Sequence, residues 1–561
     1  MSRFLRFGVE HALAGTGDQV KEYLVGVDVF DRAKDYDPRV DPIVRVEARR
    51  LRQKLRSYYA STGKNDELII DFPKGAYAAE FHWKSSVKST VPKPVTSTET
   101  SIAVLPFSNL TLGPAPGGDE DYFSDGLTEE LILHLTRTKG LRVVAWYSAS
   151  KFRGREEDLS LIRQQLKVGV VLRGSVRRTE SRVRVTVQLI DAATGAVLWA
   201  DAFERGMRDM VAIQQEIAQS IVATLRPALG ATTKPAVSPH KLNPECYNLC
   251  LEGRFHANRR NAEALERSAL CYQRAIEKDP QSASAHAGLA DSYSLLADYG
   301  IVHPHQVMPR AESAARRALE LDENSAEAFT SLAFIRSTFE WKWTEGEDLY
   351  RRAIVLNPSY SKAHHWFGTD VLAILGRVDE AEEEIQIAVR LDPLSLIVHQ
   401  GIGYVQQLRR DYEASIESYR RLIDMDPMFY KAHASIGRAL ALMGRLDEAI
   451  QSFERALALG GGVPSTVAAM GQVLALAGKE KAARKCLKDL ETMARTRYIP
   501  SSCFAILHMG LGETSKSLDW LEKSCDQHEL STTSIIFHPL WDPMRREPRF
   551  ESMMRRVASL P

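Results

Sequence analysis

The C-terminal half of the chain repeats itself, and that periodicity constrains the fold more than any other feature of the sequence. The segments YQRAIEKDP, YRRAIVLNP, IQIAVRLDP and YRRLIDMDP end at Pro280, Pro358, Pro393 and Pro427, and FERALALGG ends in register at Gly461. From 358 to 393, 427 and 461 the steps are 35, 34 and 34 residues. Between Pro280 and Pro358, RRALELDEN supplies the missing member at Asn324, leaving one step of 44 residues that reads as containing an inserted loop, DYGIVHPHQ. A unit of this length holds a pair of helices that cannot bury its apolar face alone, so successive pairs must stack.

The unit over about 428–461 has Gly437, Ala449, Phe453 and Ala456 at the places where paired helices cross and an aromatic fills the groove. This resembles the tetratricopeptide pattern. Gly471, Ala483 and Leu487 continue it, GLGETSKSLDWLEKS adds a final unit, and HPLWDPMRREPRFESMMRRV reads as a closing helix. The expected organisation is an all-α solenoid over 243–530 with a cap over 531–561. The resemblance implies a concave face that takes a protein or peptide partner, the bland alternative being a packing module. Some members clamp a peptide carboxylate with Lys, Arg and Asn; here Lys431 and Arg438 lack the companion Asn, so that ligand is not expected.

A chain of 561 residues holds several domains. Its 73 Lys+Arg against 72 Asp+Glu exclude a globally basic nucleic-acid coat, so any polyanion site is local. The sequence has no run of eighteen apolar residues and no small-residue cleavage site after MSRFLRFGVEHALAG. Its six cysteines are sparse, as in a reducing compartment. A cytoplasmic location without membrane contact is expected.

The local charge lies in VRVEARRLRQKLRSYY, residues 44–59, where Arg45, Arg49, Arg50, Arg52, Lys54 and Arg56 face a single acid, Glu47. On a helix Ala48, Leu51, Leu55 and Tyr58 form an apolar stripe, and Arg45, Arg49, Arg52 and Arg56 form a basic one about a quarter-turn round. A solvated helix face is the ordinary reading of such a pattern. The neighbours decide otherwise. An apolar-faced helix (Phe4 to Leu13) and a second one (about 19–30) precede it. ELIIDFPKGAYAAEFHW follows, with an apolar run, a Pro73-Lys74-Gly75 turn and the alternation Tyr77, Ala79, Phe81, Trp83 of a hairpin.

VRVEARRLRQKL followed by IIDFPKGAYAAEF resembles the end of the winged-helix effector domain of OmpR/PhoB-type regulators. The resemblance implies an α+β winged helix over 1–84 whose 44–59 segment enters the major groove of double-stranded DNA. Arg45, Arg49 and Arg52 would be the foremost contacts, and Lys74 in the wing would touch a phosphate or the minor groove. Arg50, Lys54 and Arg56 complete the candidate set. The family's N-terminal β-sheet is not found ahead of Phe4, which leaves either a reduced variant or a start that lies upstream. A homodimer would engage two half-sites at once.

KSSVKSTVPKPVTSTET, Ser/Thr/Pro-rich, reads as a tether over 85–100. Beyond it, over 101–230, SIAVLPF, LRVVAWYS, VVLRGSVRR, RVRVTVQLID and VLWADAF read as strands, with helices at about 128–138, 159–167 and 213–225. The expected fold is an α/β mixed sheet covered by helices. IAVLPF, YFSDGLTEEL, VLRGSVRR and QLIDAATGAVLW resemble the amino-terminal domain of TolB and FlgO-like domains, which implies a spacer or sensor. Asp121 as the first position of a calcium loop puts Phe123 and Ile132 where oxygen ligands are required, so no metal is expected; Asp125 reads as a helix cap, with Glu129 and Glu130 in the first turn.

No cofactor, metal or catalytic set emerges. Cys246 and Cys250 with Cys271 lack a fourth ligand and read as small buried thiols, and His364 and His365 point to different faces. TolB-like segments with tetratricopeptide repeats also occur beside class III nucleotide cyclases. Such a catalytic domain needs its own paired aspartates, and every long segment here has another assignment, so no enzyme is expected. The sequence therefore predicts a multidomain, one-component DNA-binding transcriptional regulator, the alternative being a cytoplasmic scaffold whose N-terminal segment binds no DNA.

Overall fold

The computed structural model describes residues 2–13, 20–33, 35–38, 41–60, 62–63, 68–73, 77–83, 100–110, 122–179, 182–206, 210–229 and 243–558. They form two compact units, Met1–Ser97 and Thr98–Pro561. The tether expected over 85–100 lies, except for Thr100, outside the described residues, as do Lys74 and Asp121.

In the first unit α1 (Ser2–Leu13), α2 (Glu22–Phe30) and α3 (Ile43–Ala60) are followed by an antiparallel pair, β1 (Leu68–Asp71) and β2 (Glu80–Trp83), in the register Leu68↔Trp83 and Asp71↔Glu80. Phe4, Val25, Val29, Val44, Ala48, Leu51 and Phe72 form its core. The apolar stripe of α3 starts one turn earlier than its sequence suggests: Val44 is buried, whereas Tyr58 is 44% exposed. Two bonds pin the hairpin. The Ala79 N–H donates to Gly8 O (3.1 Å), and the Ile70 N–H donates to the Tyr59 hydroxyl (2.9 Å).

The second unit opens with a mixed sheet. β3 (Thr100–Val104) lies parallel to β5 (Leu141–Val143) and β6 (Val170–Arg178), a short β4 (Ser108–Asn109) also pairs with β6, and β7 (Arg182–Asp191) and β8 (Val197–Gly206) extend the sheet antiparallel in the order β5-β3-β6-β7-β8. Alternation along β3 sends Ile102 and Val104 to a core shared with α4 (Tyr122–Thr136) and α7 (Met210–Leu229), against which Trp146 of α5 (Trp146–Ser150) also packs, and Ala103 to the opposite face with α6 (Leu159–Leu166). Two expectations are corrected here. α4 begins six residues before Thr128, so Asp125 lies inside its first turn rather than capping it, and pairs with Arg153. The AWYS end of the expected second strand is helical, because the Ser148 N–H and hydroxyl turn to the carboxylate of Asp392.

Eight helix pairs follow among the described residues: α8/α9 (Pro244–Asn258, Ala262–Lys278), α10/α11 (Ala283–Asp298, Pro304–Leu321), α12/α13 (Ala326–Phe334, Trp343–Leu356), α14/α15 (Ser361–Phe367, Val378–Leu391), α16/α17 (Leu396–Leu408, Tyr412–Met425), α18/α19 (Tyr430–Leu442, Leu446–Gly460), α20/α21 (Pro464–Leu476, Glu480–Met493) and α22/α23 (Ser501–Gly510, Thr514–Asp526). π-helical turns extend α12 over Ile335–Phe339 and α14 over Gly368–Leu372. The 44-residue step is not a loop insertion in the main: α10 and α11 have 16 and 18 residues where α18 and α19 have 13 and 15. α24 (Ser531–Phe537) and α25 (Pro548–Ala558) turn back onto the middle of the array, where Trp343 Nε1 donates to Val557 O (2.8 Å) and Trp341 shares a core with Trp541 and Phe550.

The turn inside each pair reaches the left-handed region at one residue. Five pairs place glycine there: Gly300, Gly376, Gly444, Gly478 and Gly512, with φ between 62° and 76°. The first, third and fifth pairs place Arg260, Trp341 and Arg410 there instead, at 52°, 58° and 65°.

The segments 101–230 and 243–530, read from sequence as successive domains, pack as one unit. α8 belongs to both: Cys246 and Cys250 enter the core of the repeats, while Tyr247 and Leu251 enter the core of the sheet. Gly126 in α4 permits this approach, since a Cβ there would lie 2.6 Å from the Leu251 side chain. Gly126→Val is expected to cost about 1–3 kcal/mol by overpacking. Hydrogen exchange should then quicken in α4 and α8 and stay unchanged in α18 and α19.

Candidate nucleic-acid interface

Burial of Val44, Ala48 and Leu51 fixes the rotation of α3, and therefore which side chains reach solvent. The exposed face carries Val46, Arg49, Arg50, Gln53, Lys54 and Ser57. Of the basic stripe expected at Arg45, Arg49, Arg52 and Arg56, Arg49 belongs to this face, and the structure separates it from Arg45 and Arg52. Arg52 is half-buried and bolts the helix to the hairpin strand: its Nε donates to Phe72 O at 2.6 Å and its Nη2 to Pro73 O at 2.8 Å. Arg45 is exposed but engaged with Glu22 at 2.8 Å and with Pro38 O. Arg50 reaches back to Glu47 at 2.7 Å, an i,i+3 pair that leaves most of its guanidinium in solvent. Arg49 and Lys54 make no hydrogen bond or ion pair among the described residues. The side chain of Arg56 and all of Lys74 lie outside the described residues.

The available set is thus Arg49, Arg50 and Lys54, with Gln53 as an uncharged donor and acceptor between them and Val46, 43% exposed, as an apolar group on the same face. Gln53 and Val46 are absent from a selection based on charge. Taking the helix angle from Val44, Ala48 and Leu51 recovers them. Chemically the face offers a guanidinium fork suited to guanine, an amide suited to adenine, a methyl-bearing contact for thymine and an ammonium for phosphate.

In the second unit, the cluster expected to cap α4 does something else. Glu130 pairs with Arg254 of α8 (2.6 Å), and Glu129 accepts from Asn258 Nδ2 (3.0 Å). Burial, partly offset by Arg254 and Asn258, lifts the Glu129 carboxyl from 4.5 to about 7. Of the cysteines, Cys246 and Cys250 are buried free thiols. Cys271 instead converges with Glu252 and His256, their ligand atoms lying within 4.8 Å of one another. Burial and the Glu252 carboxylate beside it raise this thiol to about 12. His364 bonds to Pro358 O (3.0 Å) and Glu384 (2.6 Å), whereas its neighbour His365 faces a cavity. The His364 contact recurs at His286 to Pro280 and His399 to Pro393, at 3.2 and 2.8 Å, and holds the entry of the helix in these three repeats.

Residues 98–220 match the family described as HilA/YgeH-like transcriptional regulator, second domain. Residues 403–464 match a tetratricopeptide repeat family. The chain therefore carries a HilA-like transcriptional regulator domain and tetratricopeptide repeats. It is 38% identical over 200 residues to "Putative adenylate cyclase 3" of Rhizobium meliloti, a match covering 36% of this chain and 33% of that protein. It is 22% identical over 314 residues to the transcriptional regulator HilA of Salmonella typhimurium, covering 55% of this chain and 53% of that one. The chain thus spans only 33% and 53% of the lengths of these two relatives. Among solved structures, a monomeric mutant of IFIT1 superposes with a TM-score of 0.41 at 16% identity, over 62% of this chain and 77% of that one. Among the described residues no helix is long and apolar enough to cross a membrane.

The different engagements of the arginines give separable outcomes. Arg52→Ala removes two charge-assisted bonds to carbonyls and is expected to destabilise the first unit by about 2 kcal/mol. Arg49→Ala should leave stability within about 0.5 kcal/mol. Amide exchange within α3 and β1 of the full chain measures both.

Proposed function

We propose that the chain is a DNA-binding transcriptional regulator, with α3 as its recognition helix and Thr98–Pro561 as its input module. One juxtaposition carries this reading: a regulator domain of the HilA/YgeH kind at 98–220 is preceded by a three-helix and hairpin unit whose long third helix exposes Arg49, Arg50, Gln53 and Lys54 on one face. The order of elements supports a winged helix similar to the OmpR/PhoB effector domain, with β1 and β2 as the wing. In the major groove Arg49 and Gln53 would read base edges, while Arg50 and Lys54 would contact phosphates and contribute affinity without sequence information. Arg45 and Arg52 hold the helix at its angle to the rest of the unit. The central domain supports regulation rather than catalysis in this reading, and the repeats offer a surface for a protein partner.

The test is fluorescence anisotropy of the full chain on its own upstream DNA and on a random duplex at several salt concentrations. The expected result is tighter binding to the cognate duplex. An Arg49→Ala/Lys54→Ala variant should lose roughly 1–3 kcal/mol at the base contact, and the slope of affinity on salt should fall by about 0.9 for the lost phosphate contact. Binding that is equal on both duplexes and indifferent to the two substitutions would overturn the proposal and favour a scaffold.

A further inference from the structure

Between the sheet domain and the repeats lies a cavity of about 980 Å³. α5 supplies one wall with Trp146, and the repeats supply the others, with Tyr299 at the end of α10 and His365 and Trp366 of α14 among them. Five cations line it, Arg259, Arg260, Lys362, Lys431 and Arg497, and of these Arg260 and Lys431 come together at one aromatic side chain. Neither has a carboxylate within ion-pairing distance among the described residues. Both gather at Tyr299: the Lys431 ammonium sits 4.5 Å from the centre of its ring, and the Arg260 guanidinium lies beside its hydroxyl. The carboxylate that faces both cations is Asp298, which lies beyond ion-pairing distance of either and whose carboxyl burial raises; three others are engaged elsewhere. Asp291 receives Lys362 on both oxygens at 2.8 Å, Glu129 receives Asn258, and Asp392 receives Ser148. Burial, followed by the charges of Arg260 and Lys431, pushes His365 down to about 4, so its imidazole is neutral at pH 7.

The backbone gives an independent reason to single out Arg260. It holds the left-handed turn position that five sister repeats give to glycine. The other two exceptions in these turns are explained by tertiary contacts: Arg410 pairs with Asp542 (2.6 Å), and Trp341 is buried against the C-terminal helices. Arg260 has no ion pair: its neighbours are the Tyr299 hydroxyl and, beyond ion-pairing distance, the carboxylates of Asp291 and Asp298. A strained side chain retained at a cavity wall, with no carboxylate in direct contact with it, is the signature of a binding group.

We infer that this cavity binds a small organic anion with a flat apolar body, its acidic head between Arg260 and Lys431 and its body against Tyr299, Trp146 and Trp366. Recognition rests on paired charge-assisted hydrogen bonds in a partly dehydrated site and on stacking against aromatic walls. The inference concerns Thr98–Pro561 alone and stands or falls apart from the DNA-binding reading.

The probes are 8-anilinonaphthalene-1-sulfonate and N-phenyl-1-naphthylamine, which share a body and differ in the anionic group, titrated by fluorescence into the full chain. One sulfonate per chain is expected, bound at least tenfold more tightly than the neutral amine. Arg260→Gly restores the residue of the sister turns, so the melting temperature should hold or rise while sulfonate affinity falls at least tenfold. Lys431→Met should weaken sulfonate binding similarly, and Arg410→Gly should leave it unchanged. Displacement by 1-naphthoate or by 1-naphthyl phosphate identifies whether the preferred head is a carboxylate or a phosphate. Equal affinity for the two probes, several sulfonates per chain, or full retention of sulfonate binding in Arg260→Gly and Lys431→Met would each overturn the inference.

Discussion

The second unit depends on one helix serving two cores. α8 directs Cys246 and Cys250 into the repeats and Tyr247 and Leu251 into the sheet, two i,i+4 pairs about a quarter-turn apart. Full burial of a leucine and a tyrosine is worth a few kcal/mol on the transfer scale, and it is gained only if α4 comes close enough to cover them. Gly126 supplies that closeness at the expense of about 1 kcal/mol of helix propensity. The segment YFSDGLTEEL then reads as the code for the seam. Gly126 sets the distance, Glu129 and Glu130 meet Asn258 and Arg254, and Thr128 accepts from the Phe107 N–H (3.1 Å) while donating to Ser124 O (2.7 Å).

Further along, the seam is polar and hydrogen-bonded. Asn357 Nδ2 donates to Thr136 Oγ1 (2.9 Å), the Ala145 N–H to Leu391 O (2.8 Å), and the Leu394 N–H to Ser148 Oγ (2.8 Å). Burial raises the Asp392 carboxyl to about 6 despite the Ser148 bonds, and Glu129 stands at about 7. Both acids are raised in the folded chain. Their contribution is therefore complete below their ordinary values and is lost as pH rises through 6 and then 7. Such a seam is held firmly by apolar contacts and adjusted by two carboxyls that titrate close to neutrality.

The repeats were legible because their signal is periodic and local: the type, spacing and number of units all follow from short helices with small residues at crossings. The strands with clean alternation, 182–191 above all, were equally legible. What sequence could not supply were features decided by distant partners. The 146–150 segment, rich in β-forming Trp146 and Tyr147, turns helical because Ser148 meets Asp392, which lies far along the chain. Glu129 and Glu130 differ from expectation for the same reason, since their partners, Asn258 and Arg254, are on α8. On α3 the basic residues were visible but their division was not. The pattern of charges does not reveal that the Phe72 and Pro73 carbonyls claim Arg52, or that Gln53 and Val46 share the exposed face.

The turns of the array show how local rules and tertiary demands trade against each other. A left-handed non-glycine residue costs roughly 1–2 kcal/mol, so three of them among eight equivalent turns require compensation. At Arg410 and Trp341 the return is the attachment of the C-terminal helices, which brings Asp542, Trp541 and Val557 back against the middle repeats and removes the free end of the solenoid. His528, itself left-handed at 45°, completes that attachment by bonding Phe339 O (2.7 Å) and stacking on Trp341. Strain thus collects where the array is held to something outside its own repeat. Arg260 obeys the same logic at the opposite end, where the array meets the sheet domain and the cavity opens.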